Sequence, residues 1–439
     1  MAPMNSLMKH AFFAAAFAAT SLAVAQKPTG PKFEFDPAEQ GGPQLLSAGF
    51  AEPPGNTLVT VSDIGQPTSH TLWSQKVLPS SGSNQGSFSL NMRPAAQDTF
   101  ADIAVSTAPA PAAPIFRART VLRPEGKPLI SYQGKRDLAP PSDFAEYWKR
   151  AKRELDQVPL SATLTRVPEK DTATGLLYRV DLDTVRKTTI VCWYYVPRNT
   201  FDSAGKATRR CPAMLIAPGY GAEEPPIDRT SSGVITLSLN PRHHGPSKQY
   251  WKSPVEHMLY NIEDPENCYY KLAFLDCLRG AQFLFSRTEV DPKRVATEGG
   301  SQGGLFAIAT AALEPRIACV CSNVTAFSAY PEGMLLAQTG HHVQFREKLA
   351  ASPPDVAAKI RKTLSYMDGA NMATLVHCPV QINMGGIDPV CPFVCGIVTY
   401  NKLPAGVAKE IHVIPGAKHE VPGPMRANNS NWYRRYLGL

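Results

Sequence analysis

The sequence predicts an α/β protein: a mostly parallel sheet with helices on both faces, preceded by a small β-sandwich-like domain. Three observations predict it. Beyond Pro141, segments with helical spacing alternate with short apolar runs, the pattern of a parallel sheet covered on both faces. From about Phe33 to Leu122 only short strand-like runs occur, separated by turn residues, which suits packed antiparallel sheets. Proline accounts for 40 of 439 residues, well above the usual share of about 5%, and favours fixed turns over long helices. Charged residues make up 19% and hydrophobic ones 43%, a balance that excludes a wholly disordered chain. The formal charge of +8 comes from scattered lysines and arginines with no basic run, so no nucleic-acid partner is expected.

Residues 1–25 read as a secretory signal peptide. Lys9 supplies the basic head, the apolar run Ala11–Ala25 is too short to span a bilayer, and Ala23-Val24-Ala25 before Gln26 forms a small-residue exit. Cleavage near Ala25 sends the mature protein out of the cytoplasm, secreted or periplasmic. No later run reaches the roughly 18 apolar residues of a membrane span, so no membrane partner is expected after cleavage. Cysteine is no framework here: the nine residues are an odd number, none precedes Cys192, and no pair of C-x-x-C units suggests a metal site. An oxidising compartment allows one bridge among the later ones.

Residues 26–125 read as an N-terminal β-rich domain. Ser87 to Arg93 alternates polar and apolar without a break, and Thr57–Val61, Thr71–Leu78, Ala101–Val105 and Phe116–Leu122 are further strands. No chemistry is visible in this region. Residues 126–439 hold the α/β domain. It opens with Phe144, Tyr147, Trp148, Ala151 and Leu155 on one helical face, introduced by Pro140-Pro141-Ser142-Asp143. The predicted strands are Leu177–Val185, Thr189–Val196, Ala213–Ala217, Val234–Leu239, Arg294–Thr297, Ile317–Asn323, Val380–Met384 and Glu410–Ile414. Helices are expected over Lys271–Phe285 and after Gln302.

The chemistry begins at Gly299-Gly300-Ser301-Gln302-Gly303-Gly304, a G-x-S-x-G turn between a strand and a helix. Small neighbours let the backbone turn tightly enough to expose a nucleophilic hydroxyl above the sheet. A serine nucleophile needs a base, and the base needs a carboxylate to hold its tautomer. Asp388, 87 residues further on, leaves one strand, and His419, another 31 residues on, follows the next. That is the order Ser, Asp, His of this architecture, with both partners at strand ends. The oxyanion donors are the N–H groups of Gln302 and, in the turn Pro218-Gly219-Tyr220-Gly221, of Tyr220. The rival reading of the glycine-rich turn, a phosphate loop, lacks the G-K-[ST] it needs.

Several ordered landmarks then resemble the acetyl xylan esterase and cephalosporin-C deacetylase family, carbohydrate esterase family seven, of the α/β-hydrolase fold. They are Asp143-Phe144, Tyr147-Trp148, Gly219-Tyr220, Glu289 to Arg294, Gly300 to Gly304, Leu364 to Asp368, Asp388-Pro389-Val390-Cys391-Pro392 and His419-Glu420. The resemblance implies a Ser301–His419–Asp388 triad, oxyanion groups at Tyr220 and Gln302, no cofactor, no metal, and removal of acetyl groups from small sugar esters. It also implies a homo-oligomer, since family members typically form hexamers around an inner cavity. Two departures stand out. The family's R-G-Q-G turn is here Arg242-His243-His244-Gly245, and Pro218 replaces a histidine before Gly219. For His243 and His244 a structural loop role is favoured over substrate contact, with a metal site a distant third, and no role is assigned to the pair His341 and His342.

The expectation is thus a secreted serine esterase acting on acetylated xylan or xylo-oligosaccharides. The alternatives are another esterase or peptidase of this fold, with feruloyl, polyester or peptide substrates, or a carbohydrate-binding surface protein with a silent hydrolase scaffold. The substrate-binding residues, the natural glycan, the acyl-chain preference and the job of the first domain are not legible in the sequence.

Overall fold

The computed structural model describes residues 32–36, 45–50, 57–64, 70–77, 86–107, 114, 116–124, 127, 129–134 and 139–439. The expected signal peptide lies outside the described residues, as does the turn at Pro79 to Gly82.

Seven strands form the N-terminal region: β1 (Lys32–Asp36), β2 (Leu45–Phe50), β3 (Thr57–Asp63), β4 (His70–Val77), β5 (Gly86–Asn91), β6 (Thr99–Thr107) and β7 (Phe116–Leu122). They make two antiparallel sheets, one in the order β1-β2-β5 and one in the order β4-β3-β6-β7. Alternation decides their buried faces: Val59 and Val61 of β3 and Ala101, Ile103 and Val105 of β6 are all fully buried. Phe33 of β1 stacks on Phe116 of β7 at 4.2 Å and ties the sheets together. The strands β1 and β2 were not individually expected.

Helix α1 (Phe144–Asp156) follows, and its buried residues are the five that the helical spacing selects. The large sheet has nine strands. Strand β8 (Ala162–Arg166), absent from the expectation, pairs with β9 (Gly175–Thr184), and β9 pairs with β10 (Thr188–Pro197). Then come β11 (Cys211–Ala217), β12 (Ile235–Asn240), helix α2 (Tyr269–Ser286), β13 (Val290–Gly300), helix α3 (Gln302–Leu313) and β14 (Cys319–Asn323). Helices α4 (Tyr330–Leu336), α5 (His341–Ala350), α6 (Pro354–Met367) and α7 (Gly369–Ala373) precede β15 (Val380–Gly385), α8 (Phe393–Lys402), β16 (Lys409–Ile414) and α9 (Gly423–Leu437). The sheet order is β16-β15-β14-β13-β11-β12-β10-β9-β8, parallel from β16 to β12 and antiparallel over the last three.

Strand β11 shows why the sequence folds this way. Every one of its residues is buried, as a strand covered on both faces requires. Ala213, Leu215 and Ala217 face the core that includes α2 and α3. Met214 and Ile216 face the other side, where Trp432, Tyr433 and Leu437 of α9 cover them. Most strands differ from expectation by one or two residues at their ends, and the start of β13 differs most. β13 begins at Val290 rather than Arg294, across an Asp-Pro pair that reads as a turn, and β14 begins at Cys319 rather than Ile317. All nine cysteines are buried free thiols. Among the described residues no helix is long and apolar enough to cross a membrane.

Candidate active site

Ser301 occupies the turn between β13 and α3 at φ 57° and ψ −120°, a strained conformation for a residue with a side chain. Its N–H donates to the Asn323 carbonyl at 2.9 Å, and its own carbonyl accepts from Gly304 and Ala326. Close approach explains two of the neighbouring glycines. A Cβ on Gly303 would lie 2.2 Å from the Ala217 carbonyl oxygen, and one on Gly299 would lie 2.3 Å from the Gly303 carbonyl. Gly300 is different, since a Cβ there would meet only Val421, at 3.6 Å.

Asp388 and His419 arrive from the ends of β15 and β16. The His419 ring bridges the other two groups: Nδ1–H donates to Asp388 Oδ2 at 2.7 Å, and Nε2 receives the Ser301 hydroxyl at 3.0 Å. The second carboxylate oxygen, Oδ1, accepts from the N–H groups of Val390 (2.8 Å) and Cys391 (2.9 Å). The Asp388 side chain is fully buried, while that of His419 keeps 15% exposure. The three residues expected from the sequence therefore meet at one edge of the sheet. Donor atoms of Asp388, Cys391 and His419 also lie within 4.8 Å of one another, a sulfur–nitrogen–oxygen set of the kind zinc takes. The carboxylate and imidazole atoms, however, already serve the hydrogen bonds just described.

The expected oxyanion donors lie on two elements, the start of α3 and the turn after β11. Gln302 is the first residue of α3, where helix geometry leaves the N–H without an intrahelical acceptor. Tyr220 follows β11, whose Ala217 pairs with Gly299 of β13. The Tyr220 ring stacks on His257 at 4.3 Å, and its hydroxyl donates to Glu256 Oε1. Burial, with the Glu256 charge beside it, raises the pKa of that hydroxyl well above its usual value.

The unusual turn after β12 is a packing device. Arg242 is fully buried and grips fully buried Asp276 at 2.7 and 2.8 Å, with its own N–H also donating to that carboxylate at 2.9 Å. Removing one partner of such a pair typically costs about 3–5 kcal/mol. His243 adopts φ 70°, stacks on His257 at 4.6 Å and accepts from the Ser253 N–H. Burial, reinforced by His257, pulls its pKa down to about 4. His244 is fully buried and donates from Nδ1 to the Ala222 carbonyl at 2.7 Å. These contacts agree with the expected structural role.

Sequence reasoning assigned nothing to His341. Its Nε2 accepts the Phe327 N–H at 3.1 Å and its ring lies 4.0 Å from that of Phe327. Phe327 belongs to the segment after β14 in which Val324, Phe327 and Ala329 all have positive φ. Asp368 holds the far end of this segment through the N–H groups of Ala329 and Tyr330. The adjacent histidines were visible in sequence, but the partner of His341 is a loop N–H that no spacing rule reveals.

The acetyl xylan esterase (AXE1) family profile matches residues 127–436. The chain is 27% identical over 312 residues to acetyl esterase Axe7A of Xylanibacter ruminicola, covering 68% of this chain and 67% of that protein. Among solved structures it resembles acetyl xylan esterase 1 of Thermoanaerobacterium sp. JW/SL YS485, with TM-score 0.63 and 23% identity over 70% of this chain and 97% of that one. An acetyl xylan esterase of Paenibacillus sp. R4 superimposes with TM-score 0.61 and 26% identity, over 70% of this chain and 98% of that one. The chain belongs to the acetyl xylan esterase family and is a carboxylic-ester hydrolase of the α/β-hydrolase fold.

Proposed function

We propose that this member of the acetyl xylan esterase family is an exported serine esterase that removes acetyl groups from small carbohydrate esters such as acetylated xylo-oligosaccharides. The observation that carries the mechanism is the two-sided bonding of His419, to Asp388 through Nδ1 and to Ser301 through Nε2. Ser301 attacks the ester carbonyl as His419 takes its proton. The carboxylate of Asp388 keeps the ring in the tautomer that leaves Nε2 free of a proton, and stabilises the imidazolium that forms. The N–H groups of Gln302 and Tyr220 receive the oxyanion, a contact whose loss typically costs about 3–4 kcal/mol of barrier stabilisation. His419 returns the proton to the departing sugar hydroxyl, and water then releases acetate from the acyl-enzyme by the same route.

A short acyl group fits the family profile, which is that of acetyl xylan esterases. Ala326 bonds the Ser301 carbonyl, and the next residue, Phe327, presents a fully buried ring 6.1 Å from that of Tyr220. Export rests on the first 25 residues, with the mature chain divided into a β-rich domain of residues 26–125 and a catalytic domain of residues 126–439. The test is acetate release from acetylated xylo-oligosaccharides, set beside hydrolysis of p-nitrophenyl acetate, butyrate and feruloyl esters. Acetyl esters should be preferred, and folded Ser301→Ala should release no acetate. A preference for bulky acyl groups would overturn the acetyl assignment.

A further inference from the structure

The family profile begins at residue 127, so the seven N-terminal strands lie outside it. They nevertheless reach the two loops that carry Asp388 and His419. Strand β1 is the outer strand of its sheet, and on its unpaired edge the Phe35 N–H donates to the Pro415 carbonyl at 3.2 Å. The Phe35 carbonyl lies so near Gly386 that a Cβ there would come within 2.8 Å of it. The Phe35 ring is fully buried and lies 6.0 Å from Phe393, the first residue of α8. Gly416 faces β1 as well: the nearest atoms to a Cβ at that position would be Glu34 Cγ at 3.2 Å, Glu34 Oε1 at 3.5 Å and the Phe33 carbonyl oxygen at 3.7 Å. Gly386 is two residues before Asp388, and Gly416 is three before His419.

A second contact joins β7 to the same place. Arg119 donates to the carbonyls of Leu335 and Ala337 at the end of α4, both at 3.3 Å, where a cation also meets the negative end of the helix. The next residues, Gln338 and Thr339, donate their N–H groups to the carbonyl of Pro389, the neighbour of Asp388. The two loops are in turn bonded to each other, Gly386 to Ile414 and Ile387 to Ala417. The nucleophile is held within the large sheet, where the Ser301 N–H bonds the Asn323 carbonyl at the end of β14.

We infer that the N-terminal β region is a positioning element for the acid–base half of the site, pressing β1 and, through residues 335–339, β7 onto the loops that orient Asp388 against His419. This rests on the triad reading above and adds to it a role for strands outside the family profile. Orientation matters because a misplacement of about 1 Å can cost a hundredfold in rate.

The test is Gly416→Leu. Gly416 has an ordinary backbone conformation, and the nearest atoms in its path belong to β1, so the added side chain pushes the strand off the His419 loop. Expected are a fall in kcat for p-nitrophenyl acetate of about tenfold or more and a KM changed far less. Adding Glu34→Ala, which opens space beside residue 416, should restore part of the loss. Leu72→Ala, on the exposed part of β4, should change nothing. Should Gly416→Leu fail to fold, Arg119→Leu decides by the same split between kcat and KM, since Asp102 keeps Arg117 as a partner. Folded variants with wild-type kcat would overturn the inference. Wild-type enzyme without Ser301-dependent hydrolysis would instead defeat the triad reading, whatever the variants do.

Discussion

The two halves of the site are built in different ways. The nucleophile half is made by local backbone geometry: a strained serine, glycines pressed to contact distance against β11, and a helix start, all within the central strands. The acid–base half is carried by two loops at the outer end of the sheet, braced against each other and against strands that precede the catalytic fold in sequence. Both kinds leave no room for a Cβ where backbones cross, at Gly303 in the first and at Gly385 and Gly386 in the second. The second depends in addition on distant parts of the chain.

The largest test of the nucleophile half is Ser301→Ala, expected to lower kcat by about 10⁵-fold or more while leaving the fold intact. On the other half, Asp388→Asn is expected to cost about 10⁴-fold, because the amide can hold the wrong tautomer of His419. Its oxygen can still accept from Val390 and Cys391, so urea unfolding should find stability little changed. A large loss of stability in this variant would mean that the carboxylate is chiefly structural.

Glycine substitutions sharpen the contrast further. Gly303→Ala forces a Cβ into the Ala217 carbonyl and should lose activity and stability together, whereas Gly300→Ala, with only a normal contact to Val421, should unfold close to the wild-type midpoint. Equal behaviour of the two would break the distinction between required and incidental glycines.

Stability should also fall in acid. Burial holds the imidazoles of His244 and His341 well below their ordinary pKa, and that of His342 down to about 3. Below about pH 6.5 the unfolded chain takes up protons that these groups refuse, so stability is full above that value and is lost as pH falls. Each group contributes about 1.4 kcal/mol per pH unit to the slope. Neither nitrogen of His342 has a hydrogen-bond partner, so His342→Leu should flatten the slope of stability against pH between 6 and 4. An unchanged slope would refute this. The smallest effect is expected for Tyr220→Phe, which loses the bond to Glu256 but keeps the main-chain donor; kcat should change by only a few-fold, because the hydroxyl is engaged with Glu256.

This difference in construction also explains what could be read from the sequence. The serine turn is local, so Gly299 to Gly304 announces it, and β11, β15 and α1 are set by apolar runs or helical spacing that survive in one dimension. Asp388 and His419 were legible only through their order after Ser301 and their positions after predicted strands. What holds them was not. The β1 contacts involve backbone atoms and absent side chains, Phe35 to Pro415 and Gly386, and leave no residue pattern. Helix α9 escaped for another reason: it is rich in asparagine, and Asn429 is buried because it bonds Asn383 and Glu298. Arg242 could be seen as a turn residue, but its burial against Asp276 depends on α2 crossing beneath it.

The most direct test of the mechanism is to quench the enzyme with acid during turnover of p-nitrophenyl acetate and map the acetylated peptides by mass spectrometry. The account predicts one turnover-dependent acetyl group, on Ser301, accumulating further when Asp388→Asn slows deacylation more than acylation. Rapid acetate release with the acetyl group on another residue, or on none, would contradict it.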